Sequence, residues 1–333
     1  MRSFLPLLIN LTSLNITHVP RLTKIILSPP TTYAVLPALN RLRIEEQFLD
    51  VPHPWDPGHY RKLGQYPRLN ILELHIVRSA ASLRGYERAP IVPISPFLFW
   101  LSLKGPLQHP SAADLVASFH LESLCLYDMD PYATAISKEP VFTPLLEAAA
   151  TPFLRTLSLK RRFGYETLPP LLLSRLGGLQ TLELRAGTGL RDILPALVHL
   201  PSLSNVHLVS GVLVTQDEVG GLVSSPHKPP GLDSLHLDLL SKPSCGRILD
   251  PHPFYDEYNS LLPPDFSFAT ITALDNLAKE NGITLHGVAV ELARAEAERV
   301  AAAAAAEAAE AAESAVSGAD WAGGKLRGVK AEE

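Results

Sequence analysis

The chain has 333 residues, of which 46% are hydrophobic and 19% are charged, and its formal net charge at pH 7 is −5. This composition excludes an intrinsically disordered chain, and the weakly acidic balance excludes a protein that binds nucleic acid through net positive charge. The two cysteines, Cys125 and Cys245, are far apart in sequence. Their spacing excludes a disulfide scaffold or a cysteine zinc site and favours a reducing compartment. No apolar run in the sequence reaches the roughly 18 residues of a membrane helix.

The first ten residues, MRSFLPLLIN, place an arginine before a short apolar run and superficially resemble a signal peptide. Two sequons follow, at Asn10 and Asn15, as in secreted glycoproteins. However, the apolar run is short, and no small-residue cleavage site follows it. We therefore expect a cytoplasmic or nuclear protein and keep a secreted, N-glycosylated recognition or structural protein as the alternative.

One short pattern, Leu-x-x-Leu-x-Leu, recurs along most of the chain. Its ten copies, some with Ile or Val in place of a leucine, begin at residues 11, 22, 39, 69, 98, 121, 154, 179, 203 and 232. From residue 69 onward the copies lie 23–33 residues apart, close to the spacing of leucine-rich repeats. In seven copies a proline stands two residues before the first apolar position: Pro20, Pro37, Pro67, Pro96, Pro152, Pro201 and Pro230. Because proline cannot continue a helix, these residues predict turns that lead into strands.

Each copy predicts a β-strand with its leucines on one face and their neighbours on the other. Parallel stacking of such strands builds an α/β leucine-rich-repeat solenoid, a curved parallel sheet with irregular helices and loops on its convex side. We predict this solenoid over residues 1–286. Two segments that do not fit the repeat, near 46–66 and 241–266, are predicted to be insertions that emerge on one face and contribute to binding.

The segments between the copies predict return helices over 111–119, 142–150, 168–176 and 191–200, whereas the short first two repeats are expected to close by loops. A stronger helical pattern covers 267–280 and is followed by Asn281-Gly282 as a C-cap and by a last strand at 283–285. An Ala/Glu-rich helix is expected over 287–317, either solvated or paired with a partner helix, and a disordered tail over 318–333.

The neighbours of the leucines are predicted to line the concave face of the solenoid, which is the candidate protein-binding surface. Its proposed contact residues are Arg41, Arg43, Trp100, Lys104, Tyr127, Lys160, Arg185, His207 and His236. Trp, Tyr and Arg are the residue types that most often dominate binding energy at interfaces. The copy at residue 22 would add Lys24, Ile26 and Ser28 to this face. In the alternative interpretation, Trp100 packs beneath an insertion, and the arginines are ordinary solvent-exposed surface residues with no role in binding.

The sequence contains no catalytic motif of a known type, and we expect no enzymatic activity and no cofactor. The segment from Gly318 to Lys325 is out of register with a phosphate-binding loop and has no preceding strand. His207 and His236 are expected on adjacent strands, but two ligands do not make a metal site.

The proline-led leucine copies with irregular spacing resemble the leucine-rich repeat region of fungal F-box proteins over roughly residues 11–286. In that family the repeats recognise a substrate protein, and an N-terminal F-box docks to a ubiquitin-ligase adaptor. The resemblance implies a non-catalytic ubiquitin-ligase substrate receptor with a protein partner. From the net charge and the short apolar runs we expect neither nucleic acid nor membrane as partner. The repeat starts within a dozen residues of Met1, and the segment from Leu168 that resembles an F-box opening leads into the copy at 179. Ligase components are therefore expected as partners only if an F-box is supplied upstream.

Overall fold

The computed structural model describes residues 9–27, 36–48, 55–78, 91, 93–128, 140–161, 168–185, 196–209, 216–224, 228–238 and 268–327. Ten strands form one parallel sheet, in which each strand pairs with the next strand along the sequence. The strands β1 to β10 are Ser13–Thr17, Arg41–Phe48, Ile71–Arg78, Trp100–Gly105, Ser123–Asp128, Thr156–Arg161, Thr181–Arg185, Asn205–Val209, Ser234–Asp238 and Thr284–His286. The predicted α/β class and the all-parallel, sequentially ordered sheet are thus confirmed.

Helices occupy most of the described segments between the strands. The α-helices α1 to α8 are Pro20–Leu27, Pro57–Tyr60, Pro110–Ala117, Phe142–Ala149, Pro170–Ser174, Gln216–Val223, Phe268–Glu280 and Val288–Arg327. Two 3₁₀ helices cover Arg61–Gln65 and Leu197–His199. Helices of successive repeats contact one another, as α3 does with α4 and α4 with α5, so they form a second layer beside the sheet. The return helices predicted over 111–119, 142–150 and 168–176 are present at nearly those positions.

The leucines of the repeat lie in two rows that run across the sheet in register. Leu101 pairs with Leu124 and Leu103 with Leu126 in neighbouring strands, and all four side chains are fully buried. Strand alternation places these side chains on one face, where they pack under the return segments. Burial of a leucine side chain contributes about 1.5–3 kcal/mol relative to an exposed one, so the two rows form the core of the molecule.

A hydrogen-bonded turn leads into many of the strands, and the proline of the repeat occupies its second position. In the turn before β3, the Tyr66 carbonyl accepts a hydrogen bond from the Leu69 amide over 3.2 Å, with Pro67 between them. The same bond spans Pro37, Pro152, Pro201 and Pro230. Proline fits this position because its fixed φ matches the turn. Successive turns also stack closely, since a Cβ at Gly178 would lie 2.4 Å from the Pro152 carbonyl oxygen.

The copy at residue 22 forms helix α1 instead of the predicted strand. Its inward side chains follow helical spacing, namely Val19, Leu22, Thr23, Ile26 and Leu27. The spacing of the apolar residues in this copy fits both the two-residue period of a strand and the 3.6-residue period of a helix. In the structure this copy is helical. The prediction that Ile26 lines the concave face is therefore wrong, because Ile26 is buried in the core, and Lys24 lies exposed on the same helix. Ser28 lies outside the described residues.

Of the segment predicted as an insertion near 46–66, the structure describes the end of β2 up to Phe48 and residues 55–66, which contain α2 and a 3₁₀ helix. Trp55, Tyr60 and Tyr66 are fully buried in the core. The Trp55 indole nitrogen donates to the Pro106 carbonyl over 2.9 Å, and the Tyr66 hydroxyl donates to the Ile26 carbonyl over 2.8 Å. These aromatic rings replace the aliphatic side chains of a regular helix, which is why the segment did not match the repeat. The segment predicted as an insertion at 241–266 lies outside the described residues.

Helix α7 and strand β10 are present as predicted, and Gly282 follows α7 with a positive φ of 71°. Helix α8 then runs to Arg327, so the tail predicted to be disordered from 318 is helical up to that residue. Glycine in a helix costs only about 1 kcal/mol relative to alanine, which does not end an Ala-rich helix. Near the start of α8, Val290 and Ala293 are buried in the core, whereas residues 297–312 of the same helix are exposed.

An ion pair with a buried carboxylate fastens α8 to α7. Asp275 is 3% exposed, and the Arg294 guanidinium donates to its two oxygens over 2.9 and 2.5 Å. The Lys279 ammonium group lies 2.7 Å from the same carboxylate. The hydrogen bonds from Arg294, more than the opposing effect of burial, hold the pKa of Asp275 below its ordinary value.

Candidate functional site

The face of the sheet opposite to the leucine rows is called the polar face here. Its side chains form three rows, from the start to the end of the strands. The first row is Ser13, Arg41, Ile71, Trp100, Ser123, Thr156, Thr181, Asn205, Ser234 and Thr284. The second row is Asn15, Arg43, Glu73, Ser102, Cys125, Ser158, Glu183, His207, His236 and His286. The third row runs through Thr17, Glu45, His75, Lys104, Tyr127, Lys160 and Arg185.

The described side chains of these rows are partly or fully exposed, with the exception of Ser158. The predicted contact residues in β2, β4, β5, β6, β8 and β9 all lie on this face, as the alternation of the repeat indicated. Arg185 stands beside Lys160 in the backbone register, and its side chain lies outside the described ones. The role of these residues in binding stays a prediction.

A charged cluster of Arg41, Arg43, Glu45, Glu73 and His75 occupies β2 and β3. The Arg41 Nε donates to Glu73 Oε1 over 2.7 Å, and Arg43 Nη1 lies 4.0 Å from the second oxygen of the same carboxylate. Arg43 also donates to Glu45 over 3.2 Å, and His75 Nδ1 lies 3.4 Å from Glu45 Oε1. The two arginines predicted as contact residues are therefore held by carboxylates of their own sheet.

Two groups of this charged cluster have displaced pKa values. Burial would raise the pKa of Glu45, but the nearby charges of His75 and Arg43 outweigh it and lower that pKa. For His75, burial lowers the pKa, and the positive charge of Lys104 lowers it further, against the smaller opposing effect of Glu45. The imidazole of His75 thus favours its neutral form more than a free histidine does.

The central part of the polar face comprises Trp100, Ser102 and Lys104 of β4, Cys125 and Tyr127 of β5, and Ser158 and Lys160 of β6. Small side chains occupy its middle row, between a tryptophan in the first row and longer side chains in the third. The Lys160 ammonium nitrogen lies 5.8 Å from the centroid of the Tyr127 ring, within the range of a cation–π contact. Trp100 in the first row and Tyr127 and Lys160 in the third row thus flank the small side chains of the middle row.

Ser158 is the exception to the exposure of this face. Ser158 is 2% exposed, and its hydroxyl has no hydrogen-bond partner among the described residues. A buried polar group without a partner costs about 1–3 kcal/mol. The centre of the polar face therefore carries an unsatisfied hydroxyl.

Three histidines on neighbouring strands form a histidine row at the end of the sheet. The ring centroids of His207 and His236 are 5.1 Å apart, and those of His236 and His286 are 4.4 Å apart with the rings stacked at 16°. His207 also has Glu183 3.9 Å from its Nδ1. His286 was absent from the sequence-based site. The predicted strand at 283–285 carried the signal, because its next residue aligns with His236.

The histidine row does not have the geometry of a metal centre. In the part of the chain that the structure describes, no group of three or more His, Cys, Asp or Glu side chains is arranged to hold a metal ion. Stacked rings direct their nitrogen lone pairs side by side, whereas a metal needs ligand atoms that converge on one point.

Comparison of the chain with protein-family models and with curated proteins found no match. Within the described residues, no helix combines the length and the apolar character that a membrane span requires.

Proposed function

We propose that the chain is a non-catalytic protein-recognition module that binds a partner protein through the polar face. In this proposal it resembles the leucine-rich substrate-binding repeats of an F-box ubiquitin-ligase receptor. The observation that carries the proposal is the in-register polar face itself, in which partly exposed aromatic and cationic side chains share one side of a sheet whose other side is the core.

The size of the polar face suits a protein partner. Ten strands about 4.8 Å apart span about 43 Å, and five residues along a strand span about 16 Å. The product is close to the roughly 800 Å² that one partner contributes to a standard protein interface. The pairing of titratable groups also favours recognition over catalysis, since Glu73 pairs with Arg41, Glu45 pairs with Arg43, and His75 contacts Glu45.

Affinity purification with cross-linking from cells of the source organism tests the proposal. The recovered partner is then titrated against the purified wild-type chain and a Trp100→Ala/Tyr127→Ala variant. We expect at least a tenfold loss of affinity, because large aromatic side chains dominate binding energy at interfaces. The matched control is Leu171→Ala, which removes a side chain from a residue that is 81% exposed on helix α5. Equal affinity of the wild type and the double variant would contradict the polar-face assignment.

The ubiquitin-ligase part of the proposal has its own test. An in-frame upstream segment of roughly 45 residues with an F-box pattern would make ligase components expected partners, and the recovered complexes would then contain a ligase adaptor. A stop codon directly upstream of Met1 without such an exon would remove this part and leave the recognition module.

The second candidate is a secreted, N-glycosylated recognition protein, and one observation favours it. Asn10 and Asn15 of the two sequons are both exposed, as glycosylation requires. Treatment of the protein from its native host with a glycosidase decides between the two. A mobility shift supports secretion and contradicts a cytoplasmic or nuclear location, whereas unchanged mobility supports the first candidate.

A further inference from the structure

Exposed phenylalanines cluster at the edge of the sheet where the turns lead into the strands, which is called the turn edge here. Phe97 is 54% exposed, Phe99 is 39% exposed and Phe153 is 57% exposed, whereas the other phenylalanines whose burial the structure describes are buried. Single exposed apolar side chains are normal on a protein surface, but a cluster of them marks a contact surface. The turn edge is therefore a candidate binding site.

The backbone places these phenylalanines at equivalent positions of neighbouring repeats. The Phe99 carbonyl accepts a hydrogen bond from the Glu122 amide over 2.9 Å, and the Glu122 carbonyl accepts one from the Arg155 amide over 2.8 Å. The residues two positions earlier in the three repeats form a row of their own, namely Phe97, His120 and Phe153. Phe97 and Phe153 are thus two strands apart, about 10 Å at the usual strand spacing.

The turn edge is continuous with the polar face and has no uniform charge. Trp100 follows Phe99 directly and belongs to the first row of the polar face. The exposed side chains beside Phe99 in its own row, Glu122 and Arg155, carry charges of opposite sign. Because nucleic acids and anionic membranes bind to basic surfaces, the turn edge suits an uncharged segment of a protein partner better.

We propose that the turn edge binds a proline-rich segment of the partner protein in the polyproline II conformation. This proposal rests on the proposed function and specifies the chemistry of a partner segment that lies beside the polar face. A polyproline II helix rises about 3.1 Å per residue with three residues per turn, so every third side chain returns to the same side after about 9.3 Å. That repeat matches the separation of Phe97 and Phe153. Prolines three residues apart therefore pack on the two rings.

Other backbone conformations fit the row less well. In a β-strand the side chains of one face recur about every 6.7 Å, which does not match the separation of the two phenylalanines. In an α-helix they recur about every 5–6 Å, so an apolar side chain would meet the exposed His120 imidazole between the two rings. The polyproline II helix is also preformed and needs no internal hydrogen bonds, which lowers the entropic cost of packing on aromatic rings.

The test uses two uncharged peptides of roughly 12 residues, four turns of a polyproline II helix, with the same fluorescent label. One peptide repeats Pro-Ala-Ser, and the other has valine in place of each proline. Binding to the full chain is measured by fluorescence anisotropy. The variant Phe97→Ala/Phe153→Ala is compared with Leu171→Ala/Leu292→Ala, which removes two exposed apolar side chains from α5 and α8. Unchanged melting temperatures confirm that the variants remain folded.

We expect the proline peptide to bind the wild type at least tenfold more tightly than the valine peptide. The Phe97/Phe153 variant should lose at least tenfold in affinity for the proline peptide, and the Leu171/Leu292 variant should bind it like the wild type. Absence of binding, equal affinity for the two peptides, or equal losses in both variants would overturn the proposal.

Two other occupants of the turn edge give their own results. Co-sedimentation of the wild type, but not of the Phe97/Phe153 variant, with phosphatidylserine-containing vesicles would assign the edge to a membrane. Self-association in sedimentation velocity that the same variant abolishes would assign it to a second copy of the chain. Either result would overturn the proposal.

A titration of the recovered natural partner separates this proposal from the proposed function. Loss of affinity in both the Phe97→Ala/Phe153→Ala and the Trp100→Ala/Tyr127→Ala variants supports both. Full affinity of the phenylalanine variant, together with a loss in the Trp100/Tyr127 variant, overturns the proline-rich segment and leaves recognition through the polar face.

Discussion

The charged cluster of β2 and β3 and the central part of β4 to β6 use charge in opposite ways. In the cluster, Glu73 contacts both Arg41 and Arg43, so the arginines are neutralised within the sheet. In the central part, Lys104 has no such carboxylate among the described residues, and Lys160 lies over an aromatic ring. Neighbouring strands with the same repeat pattern thus differ in the groups that their charged side chains contact.

From the contrast we expect that residue type alone does not identify a contact residue. Arginine is enriched at interface hot spots, and on that basis Arg41 and Arg43 ranked with Trp100 and Tyr127. An arginine that already binds a carboxylate of its own sheet must exchange that partner before it binds another protein. We therefore expect the cluster to contribute mainly to the fold and the central part mainly to recognition.

The largest effect on stability is expected at the ion pair between α7 and α8, because its carboxylate is buried. Asp275→Asn removes the negative charge that two cations share, and it should lower the free energy of unfolding by about 2–3 kcal/mol. Because the folded-state pKa of Asp275 is lowered, its contribution is present at neutral pH and is lost as the pH falls through about 4 and below. Urea denaturation at pH 7 and at a series of pH values from 4 down to 2 measures both effects. The control Glu296→Gln, in a surface ion pair with Arg299, should leave stability unchanged, and an equal loss in both variants would contradict the assignment.

Glu73→Ala should have the next largest effect, because it removes the carboxylate that contacts both arginines of the cluster. We expect a loss of about 1–2 kcal/mol in urea denaturation. Lys104→Ala, on the next strand, should change stability by less than about 0.5 kcal/mol. A loss of stability for Lys104→Ala as large as that for Glu73→Ala would contradict the proposed difference between the charged cluster and the central part of the polar face.

A smaller effect on stability is expected when a change of pH protonates His75. Because burial lowers the folded-state pKa of His75, the unfolded chain binds a proton more readily than the folded one below its ordinary pKa of 6.5. Stability should therefore fall as the pH decreases from 7.5 to 5.5, by less than about 1.4 kcal/mol per pH unit for this one group. His75→Gln should show a shallower slope in the same denaturation series. Identical slopes for the wild type and the variant would argue against a buried neutral imidazole.

The smallest effect concerns the hydroxyl of Ser158. Because this group is buried without a partner among the described residues, Ser158→Ala should leave stability unchanged or raise it by up to about 1 kcal/mol. Ser111→Ala is the comparison, because the equally buried Ser111 hydroxyl lies 2.6 Å from the His109 Nδ1, and its loss should destabilise. Destabilisation by Ser158→Ala of the same size would show that the hydroxyl has a partner.

Much of the fold could be predicted from the sequence because the last two leucines of each copy are two residues apart, which is the period of a β-strand. The alternation alone places Trp100, Tyr127 and Lys160 on one face, and their register follows from the repeat. The copy at residue 22 was ambiguous, since the same letters satisfy a helix. The aromatic return segment around Trp55 escaped the pattern because its core contacts are non-local.

The ion pairs of the charged cluster could not be predicted in the same way. Repeat spacing gives the row of a residue but not the rotamer that directs Arg41 and Arg43 to the same carboxylate. His286 was missed for a simpler reason, because the last strand does not carry the full leucine pattern. Its register with His236 becomes evident only when that strand is aligned on Leu285.

The most direct measurement uses Cys125, which lies partly exposed in the middle of the central part. In a Cys245→Ser background, the rate of maleimide labelling at Cys125 is followed with and without saturating partner protein. Contact across the central part predicts at least a tenfold slower reaction in the complex. An unchanged rate at saturation would place the partner elsewhere and contradict the assignment of this surface.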